Sequence, residues 1–228
     1  MSLLLAIDTC GPIGSVALGC AAGGSGDGAV EILGQTELAG RTYSATLVTA
    51  IANLLDQNQK KLNELGAIVV VNGPGSFTGV RVGVSAAKGL AEGASLPVLA
   101  VSRLEVLAFK AKVPSAALDA HRGEVFLRIA ECPEARELLA GAHDLAQIDD
   151  PPVRIAICDD PAATLLGSVW PSVQLVAVPP PSAAEALQLC APRAAAGQFA
   201  DLALLDGHYL RRSDAEIFGD PAARPHSA

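Results

Sequence analysis

The chain has 228 residues and a formal net charge of −8; half of its residues are hydrophobic and 18% are charged. That length suits one large domain or two small ones packed together, and the apolar content excludes disorder as the general state. Residues 1–110 carry 7 basic and 8 acidic side chains, whereas residues 111–228 carry 9 and 16. An acidic surface repels a phosphate backbone, which argues against tight nucleic-acid binding by this chain alone.

Two uncharged runs, 9–26 and 161–184, have the roughly 18–20 residues that a bilayer span needs. Gly11, Pro12, Gly14 and Gly19 break the first, and Pro171 and Pro179-Pro-Pro181 the second, so neither reads as a span. The opening Met1-Ser-Leu-Leu-Leu-Ala-Ile runs straight to Asp8, as a first strand does and a signal peptide does not. The expected location is the cytoplasm. Cys10, Cys20, Cys132, Cys158 and Cys190 form no C-x-x-C pair, which fits reduced thiols.

In chain order, residues 3–7 form a continuous apolar run, predicting a buried strand that ends at Asp8-Thr9. Gly11-Pro12 marks a turn, 13–20 a second strand, the glycine-rich 21–28 a hairpin loop and 30–38 a third strand. Leu47, Ile51, Leu54 and Leu55 fall on one face of a helix over 44–58. A Val-rich strand over 67–71 leads into the loop 73–79, a helix over 80–92 closed by Gly93, a strand over 98–101 and a helix over 102–110. Ser102 is the expected N-cap there, with Glu105 completing a capping box. Strands over 116–119 and 124–130 flank a turn at Asp119-Ala-His-Arg-Gly-Glu124. Further strands are expected over 155–158 and 173–178, and a helix from Ser182 that Pro192 ends or kinks. Alternating elements after a hairpin-built start imply mixed sheets with helices packed on them. The expected division is 1–105, 106–212 and a loose tail over 213–228.

The most informative segment is Asn72-Gly-Pro-Gly-Ser-Phe-Thr-Gly-Val-Arg-Val-Gly83. Its glycines follow a buried strand and open onto a helix, a junction that can hold an anion on free backbone N–H groups. The alternative is a tight turn whose glycines permit close packing. No Lys-Ser/Thr follows, so it is not a Walker loop. Gly79 and Gly83 are four apart, as are Ser85 and Gly89. A glycine inside a helix costs about 1 kcal/mol relative to alanine, so close approach of another helix, from a partner or from the chain's own first helix, is expected to offset it.

Asp8-Thr9 with Gly11 and Gly14 resembles the phosphate-binding hairpin of actin-like ATPases. Arg81 is the basic residue expected near either loop. His121, His143, His208 and His226 form no metal-ligand spacing, no G-x-S-x-G elbow occurs, and Asp149-Asp150 and Asp159-Asp160 read as solvated loops.

Leu5-Ala-Ile-Asp-Thr9, Asn72-Gly-Pro-Gly-Ser-Phe-Thr-Gly-Val-Arg81, Asp119-Ala-His-Arg-Gly-Glu124 and Tyr209-Leu-Arg211 together resemble the TsaB (YeaZ) family of bacterial threonylcarbamoyladenosine biosynthesis. The resemblance implies an α/β fold of two actin/hexokinase-like, ribonuclease H-like subdomains. It also implies a non-catalytic scaffold, with no catalytic or metal-binding residues of its own. The implied partners are a TsaD-like catalytic subunit and a TsaE-like ATPase, with tRNA met only through the complex and a homodimer formed when alone. Pairing would use the first two helices, here 44–58 and 79–92, with Leu47, Ile51, Gly79, Gly83 and Ala87 as the expected contacts. A degenerate nucleotide site would comprise Asp8, Thr9, Gly73, Gly75 and Ser76; ATP or ADP at the complex interface is the one cofactor to consider. Where the family often carries a histidine before the first helix, this chain has Arg41-Thr-Tyr43-Ser44, and 23–28 reads as a local insertion. The alternative reading is a small-molecule kinase or ATPase.

Overall fold

The computed structural model describes residues 2–21, 30–40, 42–130 and 135–211. The expected loop over 23–28, Arg41, Cys132, His226 and the expected tail over 213–228 lie outside the described residues.

The first sheet starts as an antiparallel meander of β1 (Ser2–Asp8), β2 (Ile13–Ala21) and β3 (Val30–Ala39). After α1 (Tyr43–Gln57), β4 (Leu65–Val71) joins β1 in parallel. After α2 (Phe77–Ala94), β5 (Val98–Val101) joins β4 in parallel. The strand order is β3-β2-β1-β4-β5, and α3 (Arg103–Ala111) follows.

The second half repeats this plan. It runs β6 (Ser115–Asp119), β7 (Glu124–Ile129), β8 (Arg136–Gly141), α4 (Ala142–Ala146), β9 (Arg154–Ile157), α5 (Asp160–Val169), β10 (Gln174–Ala177) and α6 (Ala183–Ala195). β6, β7 and β8 are again an antiparallel meander, and β6, β9 and β10 are parallel neighbours. The described residues hold two copies of one ribonuclease H-like unit, β-β-β-α-β-α-β-α, the duplicated α/β architecture expected for an actin-like fold.

Burial explains the strand patterns. Leu4, Leu5, Ala6 and Ile7 are all fully buried because β1 is central and covered on both faces, the situation in which strands read as unbroken apolar runs. In the second sheet the two faces separate cleanly. Val125, Leu127, Ile129, Ile155 and Ile157 pack with Leu145, Leu166 and Trp170 of the α4–α5 side. Phe126, Leu118 and Ala156 pack with Leu104 and Leu107 of α3. That alternation is the period-2 geometry of a strand.

The helices that follow each unit are exchanged. α3 comes after the first sheet but covers the second, while α6 comes after the second sheet and covers the first through Ala183, Ala186, Leu187 and Cys190. A cut at residue 105 falls inside α3.

Several local expectations are corrected. α2 begins at Phe77 and is closed by Ser95 in the left-handed region (φ 54°), not by Gly93, which lies within the helix. Ser102 does cap α3, accepting from Leu104 N–H at 3.2 Å, but its hydroxyl then donates to Glu137, and Glu105 forms no capping box with it. The capping box occurs instead at Ser182, whose N–H donates to Glu185 at 2.8 Å. Pro192 is accommodated within α6, which ends at Ala195. Asp159 is no solvated loop residue: it caps α5 by accepting from Ala162 N–H at 2.9 Å, and it accepts from Asp119 N–H at 3.0 Å.

Because Leu187 of α6 is fully buried in the first subdomain's core, Leu187→Ala is expected to cost about 2–5 kcal/mol. It should lower the whole cooperative transition in thermal unfolding followed by circular dichroism, rather than a separate late or early step.

Candidate functional site

Asp8 ends β1 at the C-terminal edge of the first sheet and is 1% exposed. Its carboxylate accepts from Cys10 N–H at 2.8 Å on one oxygen. The other oxygen lies 3.7 Å from Nε of Arg103, whose side chain is also buried. Arg103 stands one residue past its N-cap at the start of α3, and its N–H donates to Gly73 O at 2.6 Å. Its Nε is buried with no hydrogen-bond partner among the described residues, so the pair is held by charge between two buried side chains. Arg81, the basic residue expected here, instead places its guanidinium 3.9 Å over the Phe77 ring on the outside of α2.

The hairpin after Asp8 is fastened to the glycine loop at several points. Thr9 Oγ1 donates to Gly79 O at 2.7 Å, Ser76 N–H donates to Cys10 O at 2.8 Å, and Cys10 Sγ donates to Val71 O at 3.2 Å. Glycine is required where the segments touch. A Cβ on Gly79 would land on Thr9 O, one on Gly83 on Thr9 Oγ1, and one on Gly75 on Cys10 O. Gly73 has φ 116°, open to glycine and disfavoured for other residues. On the other side Tyr43, in the first turn of α1, donates its hydroxyl to Gly11 O at 2.7 Å. Burial, with a further contribution from the Asp8 charge, pushes the Tyr43 hydroxyl up to about 12. Burial likewise raises the Cys10 thiol well above its ordinary range, and the thiol packs in the first core.

All five residues expected at a nucleotide site therefore meet here: Asp8, Thr9, Gly73, Gly75 and Ser76. What they build fits a nucleotide phosphate poorly. The Asp8 carboxylate faces a guanidinium rather than an open space, and Ser76 N–H is already committed to Cys10 O. Among the described residues no group of three His, Cys, Asp or Glu side chains converges to hold a metal ion.

The expected partner contacts are corrected. Leu47, Ile51, Gly79, Gly83 and Ala87 are all buried inside the subunit. Gly83 packs on Ile7 of β1 and on Thr9 just after it. The outward faces belong to their neighbours. On α1 these are Ala45, Val48 and Ala52, with Val48 61% exposed. On α2 they are Ser85, Gly89 and Gly93, and a Cβ on Gly89 or Gly93 would meet nothing within 4 Å.

The second unit has its own version of the hairpin. Asp119 ends β6 as Asp8 ends β1, and it accepts from N–H of His121, two residues on, at 2.8 Å, as Asp8 does from Cys10. Here the turn is exposed, with His121, Arg122 and Gly123 all at positive φ. Between the units, Glu137 accepts from Ser102 at 2.7 Å and Arg128 at 2.8 Å and pairs with His208 at 2.9 Å. Burial alone would raise its carboxyl, but the three partners together hold it below its ordinary 4.5. The segment 205–211 crosses both units: Leu205 O accepts from Lys88, His208 N–H donates to Asn72 O, Tyr209 packs on Phe77 and Arg211 pairs with Glu124.

Against this geometry, known proteins can be compared. The family model TsaD, tRNA N6-adenosine threonylcarbamoyltransferase, matches residues 33–138. Two relatives are each called tRNA threonylcarbamoyladenosine biosynthesis protein TsaB. That of Haemophilus influenzae is 42% identical over 96 residues, 40% of this chain and 41% of its own. That of Escherichia coli K12 is 37% identical over 129 residues, 54% and 52%. The solved structure of YeaZ from Pseudomonas aeruginosa superposes with a TM-score of 0.70 at 28% identity, over 92% of this chain and 100% of that one. The chain is similar to the TsaB proteins in sequence over these stretches and in fold throughout. The matches span about half or less of the length of these two TsaB relatives, while the structural match to YeaZ extends over the whole fold.

Two predictions follow from the geometry. Leucine at position 83 would overlap Thr9, and overpacking of this kind costs about 1–3 kcal/mol; Gly83→Leu should therefore lower the melting temperature measured by differential scanning calorimetry. For Glu137, a carboxyl held below 4.5 in the folded state is still ionised where the unfolded chain takes up a proton. Its contribution is present above about pH 4.5 and is lost as pH falls through the folded value. Urea titrations across that range should show a shallower acid decline of stability for Glu137→Gln than for the unmodified chain.

Proposed function

We propose that the chain is an accessory subunit in the synthesis of threonylcarbamoyladenosine in tRNA, beside the anticodon, and that it supports a TsaD-like catalytic subunit without performing the transfer. The observation that carries this reading is the commitment of the Asp8 hairpin to the fold. The one element that would handle phosphate and metal in an actin-like enzyme here holds α1 by Tyr43 and α2 by Thr9. A kinase or ATPase needs cationic and metal stabilisation of a transferring phosphoryl group, and the Asp8 carboxylate is already neutralised by Arg103.

The face so positioned is suited to helix packing. Ala45, Ala52, Ser85, Gly89 and Gly93 let another helix come close, and the exposed Val48 supplies apolar area. A TsaD-like subunit would dock there when present and a second copy of this chain when it is not; a TsaE-like ATPase would join the pair. With a net charge of −8, the chain would meet tRNA through the assembled complex. No helix is long and apolar enough to cross a membrane among the described residues, and work on tRNA would be done in the cytoplasm.

Gly89→Leu tests the face. Its Cβ enters open space, so the isolated chain should melt normally. A close helix contact would lose about 1–3 kcal/mol to overpacking, roughly a 5- to 150-fold loss of affinity. Titration with the cognate TsaD-like protein should show that loss and a matching drop in reconstituted threonylcarbamoyladenosine formation. Full-strength binding by a normally folded Gly89→Leu chain would remove the face from this role.

A further inference from the structure

On the side of the molecule formed by α3 and α6, a groove of about 500 Å³ opens between the end of α3 and the first turns of α6. It lies apart from the Asp8 hairpin and from the outward face of α1 and α2, and nothing in the proposed function uses it. Three side chains of different chemistry line it. Phe109 is 41% exposed, an unusual placement for a phenylalanine on a helix whose other large apolar residues are buried. Lys112, just past the end of α3, forms no ion pair among the described residues. Gln188 of α6 is exposed, and its amide makes no hydrogen bond among the described residues. Lys110 stands at the rim, fixed at 2.9 Å to Glu185 and at 2.9 Å to Pro180 O.

We propose that this groove binds a purine nucleotide, free or as an unpaired residue of an RNA strand. An exposed ring offers a face for a base, and such stacking is available to nucleobases regardless of sequence. A side-chain amide offers the paired donor and acceptor that read an adenine edge. Lys112 supplies a cation for the phosphate, on a chain that otherwise repels phosphate through its net charge of −8. The volume lies within the range of small-ligand sites, about 300–1,000 Å³. Ion pairing and capping hold Lys110, Glu185 and Ser182 in place, so one wall of the groove is formed before a ligand arrives. The reading is independent of the partner face, since no residue of that face lines the groove.

The test uses the full chain and titration calorimetry, with AMP, adenosine, inorganic phosphate and an anticodon stem-loop RNA as probes. AMP is expected to bind more tightly than adenosine or phosphate alone, because it engages both ring and cation. Phe109→Ala should weaken it by about 5-fold or more. Lys112→Glu should weaken AMP while leaving adenosine unchanged, and its effect should shrink as salt is raised. Tighter binding of the stem-loop than of AMP would assign the site to RNA, and binding of AMP without the stem-loop would assign it to a free nucleotide; either supports the shared chemistry. The proposal is overturned if neither AMP nor the stem-loop binds up to about 5 mM, at the edge of specific recognition. It is equally overturned if Phe109→Ala and Lys112→Glu leave binding unchanged, or if an acidic peptide occupies the groove and nucleotides do not. Lys112→Glu alters only an unpaired side chain at a helix end, so its melting temperature serves as the folding control.

Discussion

Where Thr9 meets Gly79 and Gly83, the hairpin lies directly on α2 with no α2 side chain at either point of contact. Thr9 Oγ1 reaches Gly79 O at 2.7 Å, and any Cβ at either glycine would collide with Thr9. Most of what distinguishes the molecule depends on that contact. It fixes the start of α2 against β1, and the same hairpin fixes the start of α1 through Tyr43 and Gly11. The buried Asp8–Arg103 pair closes the hairpin from the other subdomain's helix, since α3 covers the second sheet. A buried ion pair of this kind is weak evidence for net stability, because desolvation offsets much of the attraction. It does fix geometry, since leaving either ion alone in that place would be costly.

The same constraint connects fold to function. In a fold built from two copies of one unit, the hairpin after the first strand occurs twice. The second copy, at Asp119, stays exposed around His121 and Arg122. The first is buried and joined to α1 and α2. The first hairpin orients two helices, and the outward side of those helices is lined by small residues around Val48. In the proposed function, that is how a chain of this architecture would serve as a supporting subunit.

Much of the first unit was legible because its signals are local and periodic. The buried run before Asp8, the apolar face of Leu47, Ile51, Leu54 and Leu55, and the glycine loop after β4 each appear where the pattern places them. The second unit was harder. β8 reads Arg-Glu-Leu-Leu-Ala-Gly, a helix-favouring composition that becomes strand only by pairing with β7. The internal duplication was not read as a repeat in the sequence, although Asp8 and Asp119 stand at equivalent strand ends. At the site, the sequence brought Asp8, Thr9 and the glycines to notice but not Arg103, whose partner lies 95 positions earlier (103 − 8) and is set by the exchange of α3. The direction of Gly83 was equally unreadable. Spacing shows that Gly79 and Gly83 share a face with each other and not with Ser85 and Gly89; only the sheet decides which face is inside.

The central claim is that the Asp8 hairpin acts through structure and not through chemistry on substrate. The direct measurement is threonylcarbamoyladenosine formation by the reconstituted complex containing an Asp8→Asn/Arg103→Met chain. That double change keeps the hydrogen bond from Cys10 N–H and removes both buried charges together, an exchange that buried ion pairs often tolerate. The account predicts normal assembly and a turnover within about 2-fold of the unmodified complex, well under the roughly 100-fold loss expected on removing a catalytic group. A complex that assembles normally but loses turnover by that larger factor would contradict it.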